Sequence, residues 1–192
     1  MRRLPPIAML CAVVVLAWGC ASPSPHYYTL SAAATPAVPA ADVSVAVGPV
    51  AVPAEVDRPQ MVVRTGGNEV QLDEFHRWAS PLPNAISRAI AQNLATLLGS
   101  SRVTLFPQTV SASADYRAAI EVQRFESALG EAAELDAVWT VTRGRDGKSQ
   151  SGRTTAREPA ADKGYDTLAA AHSRAIARLS QDLAGAVRAL AQ

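Results

Sequence analysis

The fold class of this 192-residue chain is decided by the stretch YRAAIEVQRF, residues Tyr116 to Phe125. As a strand it would carry an apolar face and a polar one, made of Tyr116, Ala118, Ile120 and Val122 against Arg117, Glu121 and Gln123. Side chains of a β-strand point alternately to its two faces. The pattern therefore predicts a half-buried strand, which is typical of an antiparallel sheet.

The segments that follow continue this sheet. Apolar residues alternate again from Leu135 to Val141, and Asp146-Gly147 is a dipeptide that favours a tight turn back. The returning segment, Ser149–Arg157, is polar throughout. Because charge discourages unwanted pairing, this segment is predicted to be an exposed edge strand.

Two long segments follow the period of an amphipathic helix. The first has apolar residues at spacings of three and four, namely Leu82, Ile86, Ile90, Leu94 and Leu97. Ser80 is predicted to cap this helix, Pro81 to begin it and Gly99 to end it. The second helix runs nearly to the C-terminus through Leu168, Ile176, Leu179, Leu183, Val187 and Leu190.

Further strands are predicted before the first helix. The tetrapeptide Tyr27-Tyr28-Thr29-Leu30 favours a short strand near residues 26–31. Val43 to Val47 alternates with period two, and the apolar parity switches across Gly48-Pro49. A slip of one residue turns a strand over, so Gly48-Pro49 is predicted to form a β-bulge.

A β-hairpin is predicted around a glycine pair. Gln60–Arg64 and Glu69–Asp73 flank Thr65-Gly66-Gly67-Asn68, and both glycines are expected to adopt positive φ. The order is thus strands, helix, strands, helix. We expect residues 43–192 to form a single α+β domain with a mostly antiparallel sheet covered by two amphipathic helices.

The N-terminus has the features of an export signal. Arg2 and Arg3 precede an apolar run that ends at Trp18 and is too short to span a bilayer. Gly19-Cys20 then resembles a lipobox, which implies cleavage after residue 19 and acyl chains on Cys20. The alternatives are a secreted protein with a leftover thiol and an uncleaved anchor. Residues 20–42 are predicted to be a lipidated N-terminus and flexible tether, apart from the short strand near 26–31.

Charge and cysteine content exclude several classes of protein. Lys and Arg number 18 against 17 Asp and Glu, which leaves no sustained basic face for nucleic acid. Cys11 lies in the segment to be removed, so Cys20 has no disulfide partner and the core alone must stabilise the fold.

Because Ala21 is not the aspartate that commonly retains lipoproteins at the inner membrane, we expect the protein to be anchored at the outer membrane.

Catalytic chemistry is sparse. His26, His76 and His172 are far apart in sequence, with no carboxylate or thiol at metal-ligand spacing. We therefore predict no enzymatic activity, no metal and no cofactor beyond the lipid on Cys20. His172 falls on the apolar stripe of the second helix and is expected to be a core histidine.

Four motifs in a fixed order suggest a family, namely Tyr27-Tyr28-Thr29-Leu30, Val47-Gly48-Pro49-Val50 with Pro53, Asp57-Arg58-Pro59-Gln60, and Phe75-His76-Arg77-Trp78-Ala79 with Pro81-Leu82. Together they resemble the PqiC (YmbA) family of ABC-transport auxiliary lipoproteins. The resemblance implies an adaptor for a transporter whose periplasmic protein carries mammalian-cell-entry (MCE) domains, serving lipid trafficking and envelope integrity. The alternatives are a pilotin-like or assembly lipoprotein and a periplasmic hydrolase.

Two predicted loops are candidate partner-binding sites, with these residues: Asp57, Arg58, Gln60, Phe75, His76, Arg77 and Trp78. Arg58 and Arg77 are the expected charged anchors, since arginine and aromatic residues dominate interface hot spots. In the structural alternative, Trp78 covers the end of the sheet and Asp57 pairs with Arg58 or Arg77. We expect no enclosed lipid cavity, because the apolar stripes suffice for only one core. Self-association is left open.

Overall fold

The computed structural model describes residues 23–36 and 42–192. The predicted signal peptide, residues 1–19, and Cys20 lie outside the described residues. The strands are β1 His26–Tyr28, β2 Val45–Ala51, β3 Gln60–Arg64, β4 Val70–Trp78, β5 Val103–Leu105, β6 Tyr116–Ala128, β7 Ala132–Arg143 and β8 Ser149–Pro159. The α-helices are α1 Leu82–Leu98 and α2 Tyr165–Ala191, and a 3-10 helix spans Thr109–Ser113.

The described strands divide between two sheets. One has the order β5-β2-β6-β7-β8 and the other has the order β1-β4-β3. The long ladders β6–β7 and β7–β8 are antiparallel, as is β3–β4, whereas β1–β4, β2–β5 and β2–β6 are parallel. The α+β class is confirmed, with mixed rather than purely antiparallel sheets. The parallel pairs arise because long crossovers separate the paired strands in sequence, and α1 lies in the two crossovers that start from β2.

The bulge predicted in β2 is confirmed. The pairing of β2 with β6 shifts register between Val47 and Val50. Gly48 lies inside this irregularity with φ of 119°, a backbone conformation that favours glycine. The bulge keeps the apolar residues of both halves of β2 directed toward the core, as the switch of parity indicated.

The C-terminal end of α1 agrees with the prediction from the sequence, and its N-terminal cap does not. Gly99 ends the helix in the left-handed conformation with φ of 62°, and its N–H donates to the carbonyl of Ala95. The predicted cap by Ser80 is wrong, because the helix begins at Leu82 without a side-chain cap. Ser80 Oγ instead accepts a hydrogen bond of 2.6 Å from Arg88, so the serine is tied to the second turn.

The β3–β4 hairpin is present, but two details differ from the expectation. Neither Gly66 nor Gly67 has positive φ. The turn closes instead through the carbonyl of Glu69, which accepts from the backbone N–H groups of Thr65 and Gly66. In addition, β4 extends to Trp78, so the segment Phe75–Trp78, predicted to be a loop, belongs to a strand.

The helices cover one face of the five-stranded sheet. Helix α2 packs against β7 and β8, α1 packs against β2 and β5, and the two helices pack against each other. The polar strand β8 forms an edge of the sheet, as predicted. The apolar residues of both helix stripes lie in one continuous core.

An aromatic cluster joins the two sheets to α2. The ring of Phe125 stacks on that of His172 at 3.9 Å between centroids, and Trp78 meets both rings edge-on at about 6 Å. His172 is fully buried and its Nε2 is 2.8 Å from Ser127 Oγ. Burial lowers the pKa of His172 to about 3, so the imidazole is neutral. The expectation of a core histidine is confirmed, but the ring is only half satisfied, because its Nδ1 finds no hydrogen-bond partner among the described residues.

Close packing of β7 on β8 gives the first prediction. A Cβ on Gly152 would overlap Cζ2 of Trp139 and lie 2.7 Å from Cη2. The indole cannot easily yield, because its Nε1 donates to Thr154 Oγ1 at 3.0 Å. Gly152→Ala should lower the free energy of unfolding by about 1–3 kcal/mol, measured as a lower Tm.

Gly67→Ala is the matched control for this substitution. A Cβ there meets nothing within 4 Å and the backbone φ is not positive, so its Tm should stay close to that of the wild type. Equal Tm values for the two variants would contradict the packing described.

Candidate functional site

The predicted site residues fall on two adjoining features at the end of β4. One is a groove lined by Asp57–Pro59 and Trp78–Pro81, here called the Arg58 groove. The other is a β-bulge made of Glu74–His76, here called the Phe75 bulge. Gln60 and Arg77 pair with each other between the two features. The structure therefore brings all seven predicted residues into one region, although they come from two separate segments.

The Arg58 groove has a volume of about 420 Å³ and a mainly apolar lining. The buried indole of Trp78 contributes to its wall, and the backbone N–H of Trp78 donates to the carbonyl of Pro59 at 2.7 Å. Arg58 Nε is buried and finds no hydrogen-bond partner within residues 23–36 and 42–192. A buried guanidinium nitrogen without an acceptor favours a site that can receive a carboxylate or a carbonyl oxygen.

The Phe75 bulge arises from a break in the β3–β4 register. Met61 pairs with Asp73 whereas the neighbouring Gln60 pairs with Arg77, so Glu74, Phe75 and His76 are inserted in β4. Asp73 Oδ1 accepts from the N–H groups of Phe75 and His76, at 2.9 and 3.0 Å. The bulge is thus a defined local structure in which one carboxylate supplies the acceptors that the β-ladder no longer provides.

A hydrogen bond from α2 holds the same carboxylate. The hydroxyl of Tyr165 donates to Asp73 Oδ2 at 2.6 Å. Burial of the Asp73 carboxyl opposes its ionisation, but the hydrogen bonds from Tyr165 and the backbone outweigh this effect and lower its pKa. Burial, together with the bond to Asp73, raises the pKa of Tyr165. Asp73 is therefore an ionised anchor that links β4 to the start of α2.

His76 is held in a stack of rings. Its ring lies 3.8 Å from that of Tyr165 and 5.3 Å from that of His26, and both interplanar angles are small. The hydroxyl of Tyr28 is 2.7 Å from His76 Nδ1. His76, predicted to bind a partner, therefore also fixes β1 and β4 to α2.

The charged groups beside the bulge contact one another. Arg77 donates from Nη2 to Glu74 Oε2 at 2.9 Å and from Nε to the Glu74 carbonyl at 2.8 Å. Gln60 Nε2 approaches the same carboxylate at 3.2 Å. In the described part of the chain Asp57 pairs with neither Arg58 nor Arg77, so that structural alternative is wrong. Trp78, by contrast, does cover the sheet, because it is 5% exposed.

Three contributors to this region were missed from the sequence. Asp73 carries a local signal, since an aspartate often accepts from the N–H two residues later. Tyr28 lies in a segment with strand propensity, and nothing in its local pattern indicates a further role. Tyr165 is 92 residues from Asp73 in the sequence, and hydrophobic periodicity cannot indicate a contact between residues so far apart along the chain.

The chemistry of the region suits binding. Within residues 23–36 and 42–192 no three His, Cys, Asp or Glu side chains are grouped so as to hold a metal ion. In the same residues no helix is long and apolar enough to cross a bilayer. What the region offers is an arginine in an apolar groove, an exposed aromatic side chain and a network of ion pairs.

A family model described as ABC-type transport auxiliary lipoprotein component matches residues 28–184. The chain belongs to this family. The match includes all seven predicted partner-binding residues, and it confirms the resemblance drawn from the four motifs. An auxiliary role in ABC-type transport, as a lipoprotein of the envelope, follows from this membership.

Solved structures share the fold of this family member. Protein XCC0632 from Xanthomonas campestris has 22% identity and a TM-score of 0.67, covering 83% of this chain and 93% of its own. An uncharacterized protein has 19% identity and a TM-score of 0.70, covering 86% of this chain and 99% of its own. Comparison with curated protein sequences gives no match.

The role of Asp73 gives the second prediction. Asp73→Ala removes the acceptor of two backbone N–H groups and of the Tyr165 hydroxyl, and we expect a loss on the order of 2 kcal/mol in the free energy of unfolding. Asp73→Asn keeps one carbonyl oxygen and should lose clearly less. Urea unfolding of both variants measures the difference, and an Asp73→Ala protein as stable as the wild type would contradict the assigned role.

Proposed function

We propose that the chain is a lipid-anchored, non-catalytic adaptor on the periplasmic face of the outer membrane, serving an MCE-type ABC transporter in lipid trafficking and envelope integrity. The observation that carries the proposal is the family match over residues 28–184, which lies directly behind an apolar segment ending in Gly19-Cys20. A lipid anchor followed by a docking domain is the arrangement that an auxiliary subunit at a membrane requires.

Two features of the structure support an adaptor over an enzyme or a lipid carrier. His172 is buried in the aromatic cluster and His76 is held by Tyr28 and Tyr165, so both serve the fold. The apolar stripes of α1 and α2 are buried against the sheets in one core. The region of the Arg58 groove and the Phe75 bulge lies outside this core and is accessible for a partner.

Lipidation of Cys20 is the third prediction. The mature protein should begin at Cys20 and carry the mass of its acyl chains, and it should fractionate with outer membranes. Several acyl chains make membrane anchoring stable where a single chain does not. Cys20→Ala should abolish the processed, acylated form.

Cys11→Ala is the matched control, because Cys11 lies in the segment that is removed, and its processing should be unchanged. Intact mass spectrometry reads out both variants. A free thiol at Cys20 in the wild-type mature protein would refute the anchor, and acylated protein recovered with the inner membrane would refute only the outer-membrane location.

Docking of the MCE-domain protein is proposed to use the Arg58 groove, with Arg77 as a second charged anchor at its edge. The unpartnered Nε of Arg58 and the apolar lining around it offer a charged contact inside a mainly apolar groove. Such pockets concentrate binding energy. Pro59 restricts the backbone beside Arg58, which reduces the entropy lost on binding.

The fourth prediction compares Arg58→Glu, Arg77→Glu and the control Arg145→Glu, which makes the same charge change in the exposed turn between β7 and β8. Truncation of an interface arginine costs on the order of 2 kcal/mol, so each of the first two variants should bind the partner roughly thirtyfold more weakly. Arg145→Glu should bind normally.

Co-purification from membranes and thermal melting are measured side by side for these variants. Arg77→Glu also breaks the ion pair with Glu74. This pair is partly exposed to solvent, so its loss should change the Tm little. Lost co-purification at an unchanged Tm supports docking. A lowered Tm with retained co-purification would make these arginines structural.

A further inference from the structure

Exposed apolar side chains are concentrated on the small sheet. Five large hydrophobic residues are exposed in the described part of the chain, and four of them lie on β1 and β4: Tyr27, Val70, Leu72 and Phe75. Their exposed fractions run from 43% to 61%. The fifth, Phe106, lies beside the other sheet with its ring under the guanidinium of Arg117. Clustered exposure of this kind marks an interaction surface.

The strand register places three of the four residues, Tyr27, Val70 and Leu72, on one face of the sheet. Tyr27 pairs with Arg77, which pairs in turn with Gln60 on β3. Alternation along β3 places Val62 and Arg64 on the face of Gln60, and their partners on β4 are Leu72 and Val70. Phe75 lies in the bulge between Leu72 and Arg77, and its side chain is also exposed. We call this surface, Tyr27 with Val70, Leu72 and Phe75, the aromatic patch.

The patch is held in place from the opposite face. His26, Tyr28 and His76 alternate with the patch residues and stack toward Tyr165 of α2. Asp73 fixes the backbone of Phe75. The exposed position of Phe75 is thus stabilised by ordered contacts among β1, β4 and α2.

We propose that the aromatic patch rests in the headgroup region of the bilayer that holds the acyl chains of Cys20, and so fixes the orientation of the domain on the membrane. This inference rests on the lipidation proposed above. Tyr27 follows Cys20 by seven residues, which limits the separation of their Cα atoms to about 25 Å even in a fully extended chain. The first residue of the aromatic patch therefore lies within a short distance of the proposed anchor.

The chemistry of the patch fits a lipid headgroup layer. Aromatic side chains with a polar tip prefer the membrane–water interface, and apolar neighbours add to the buried area. The charges beside the patch are already paired, since Arg64 lies near Glu126 and Glu131, and Arg77, at the border with the Arg58 groove, contacts Glu74. Contact with the interface would therefore depend on apolar burial, and it should persist at high salt and on vesicles without anionic lipid.

The experiment uses the purified lipidated mature protein in phosphatidylcholine vesicles that contain brominated phosphatidylcholine, a short-range quencher of tryptophan fluorescence. Phe75→Trp places a reporter on the patch. Phe106→Trp is the matched control, because Phe106 is an exposed phenylalanine beside the other sheet. Both variants keep Trp78 and Trp139 as a common background.

We expect quenching of Phe75→Trp to exceed that of Phe106→Trp at least about twofold, because an interfacial side chain enters the boundary of the acyl chains. The excess should survive high salt. Equal quenching of two folded variants whose mass shows acylated Cys20 would overturn the orientation while leaving the anchor intact. Absence of the acyl mass would overturn the anchor and this inference together.

Discussion

The packing of Trp78, Phe125 and His172 is the contact on which the rest of the structure depends. Trp78 comes from the three-stranded sheet, Phe125 from the five-stranded sheet and His172 from α2. The cluster fixes the end of β4 against the core, and α1 begins four residues later. The contact of β3 with β6 and the bond of Tyr165 to Asp73 hold the small sheet in the same position. The cluster tolerates a histidine because Ser127 bonds its Nε2 and burial keeps the ring neutral.

From this cluster the fold leads directly to the functional region. The residue that enters the core, Trp78, also lines the Arg58 groove, and the bulge of Glu74–His76 precedes it on the same strand. The core contact and the proposed docking surface therefore lie on one strand. Trp78 forms part of the groove wall, while Asp73, held by Tyr165, accepts from the backbone N–H of Phe75.

The two proposed surfaces would serve a single adaptor role. A subunit that joins a transporter to a membrane needs a contact for each and a defined angle between them. The Arg58 groove offers a charged, apolar pocket suited to a protein segment, and the aromatic patch offers an apolar face beside the N-terminal anchor. Because both include residues of β4, an orientation imposed by the bilayer would also set the orientation of the groove.

The sequence by itself determined the elements whose signals are local. Periodicity placed α1, α2 and the ladder β6–β8, parity located the bulge at Gly48-Pro49, and Gly99 marked the end of α1. The order of four motifs pointed to the family, and Gly19-Cys20 to an anchor. Only the tertiary structure decided the parallel pairing of β2, the insertion of three residues in β4, and the contact of Tyr165 with Asp73. The physical reason is that side-chain period is a property of a short segment. Strand partners and contacts between residues 92 positions apart depend instead on which apolar faces meet when the whole chain collapses.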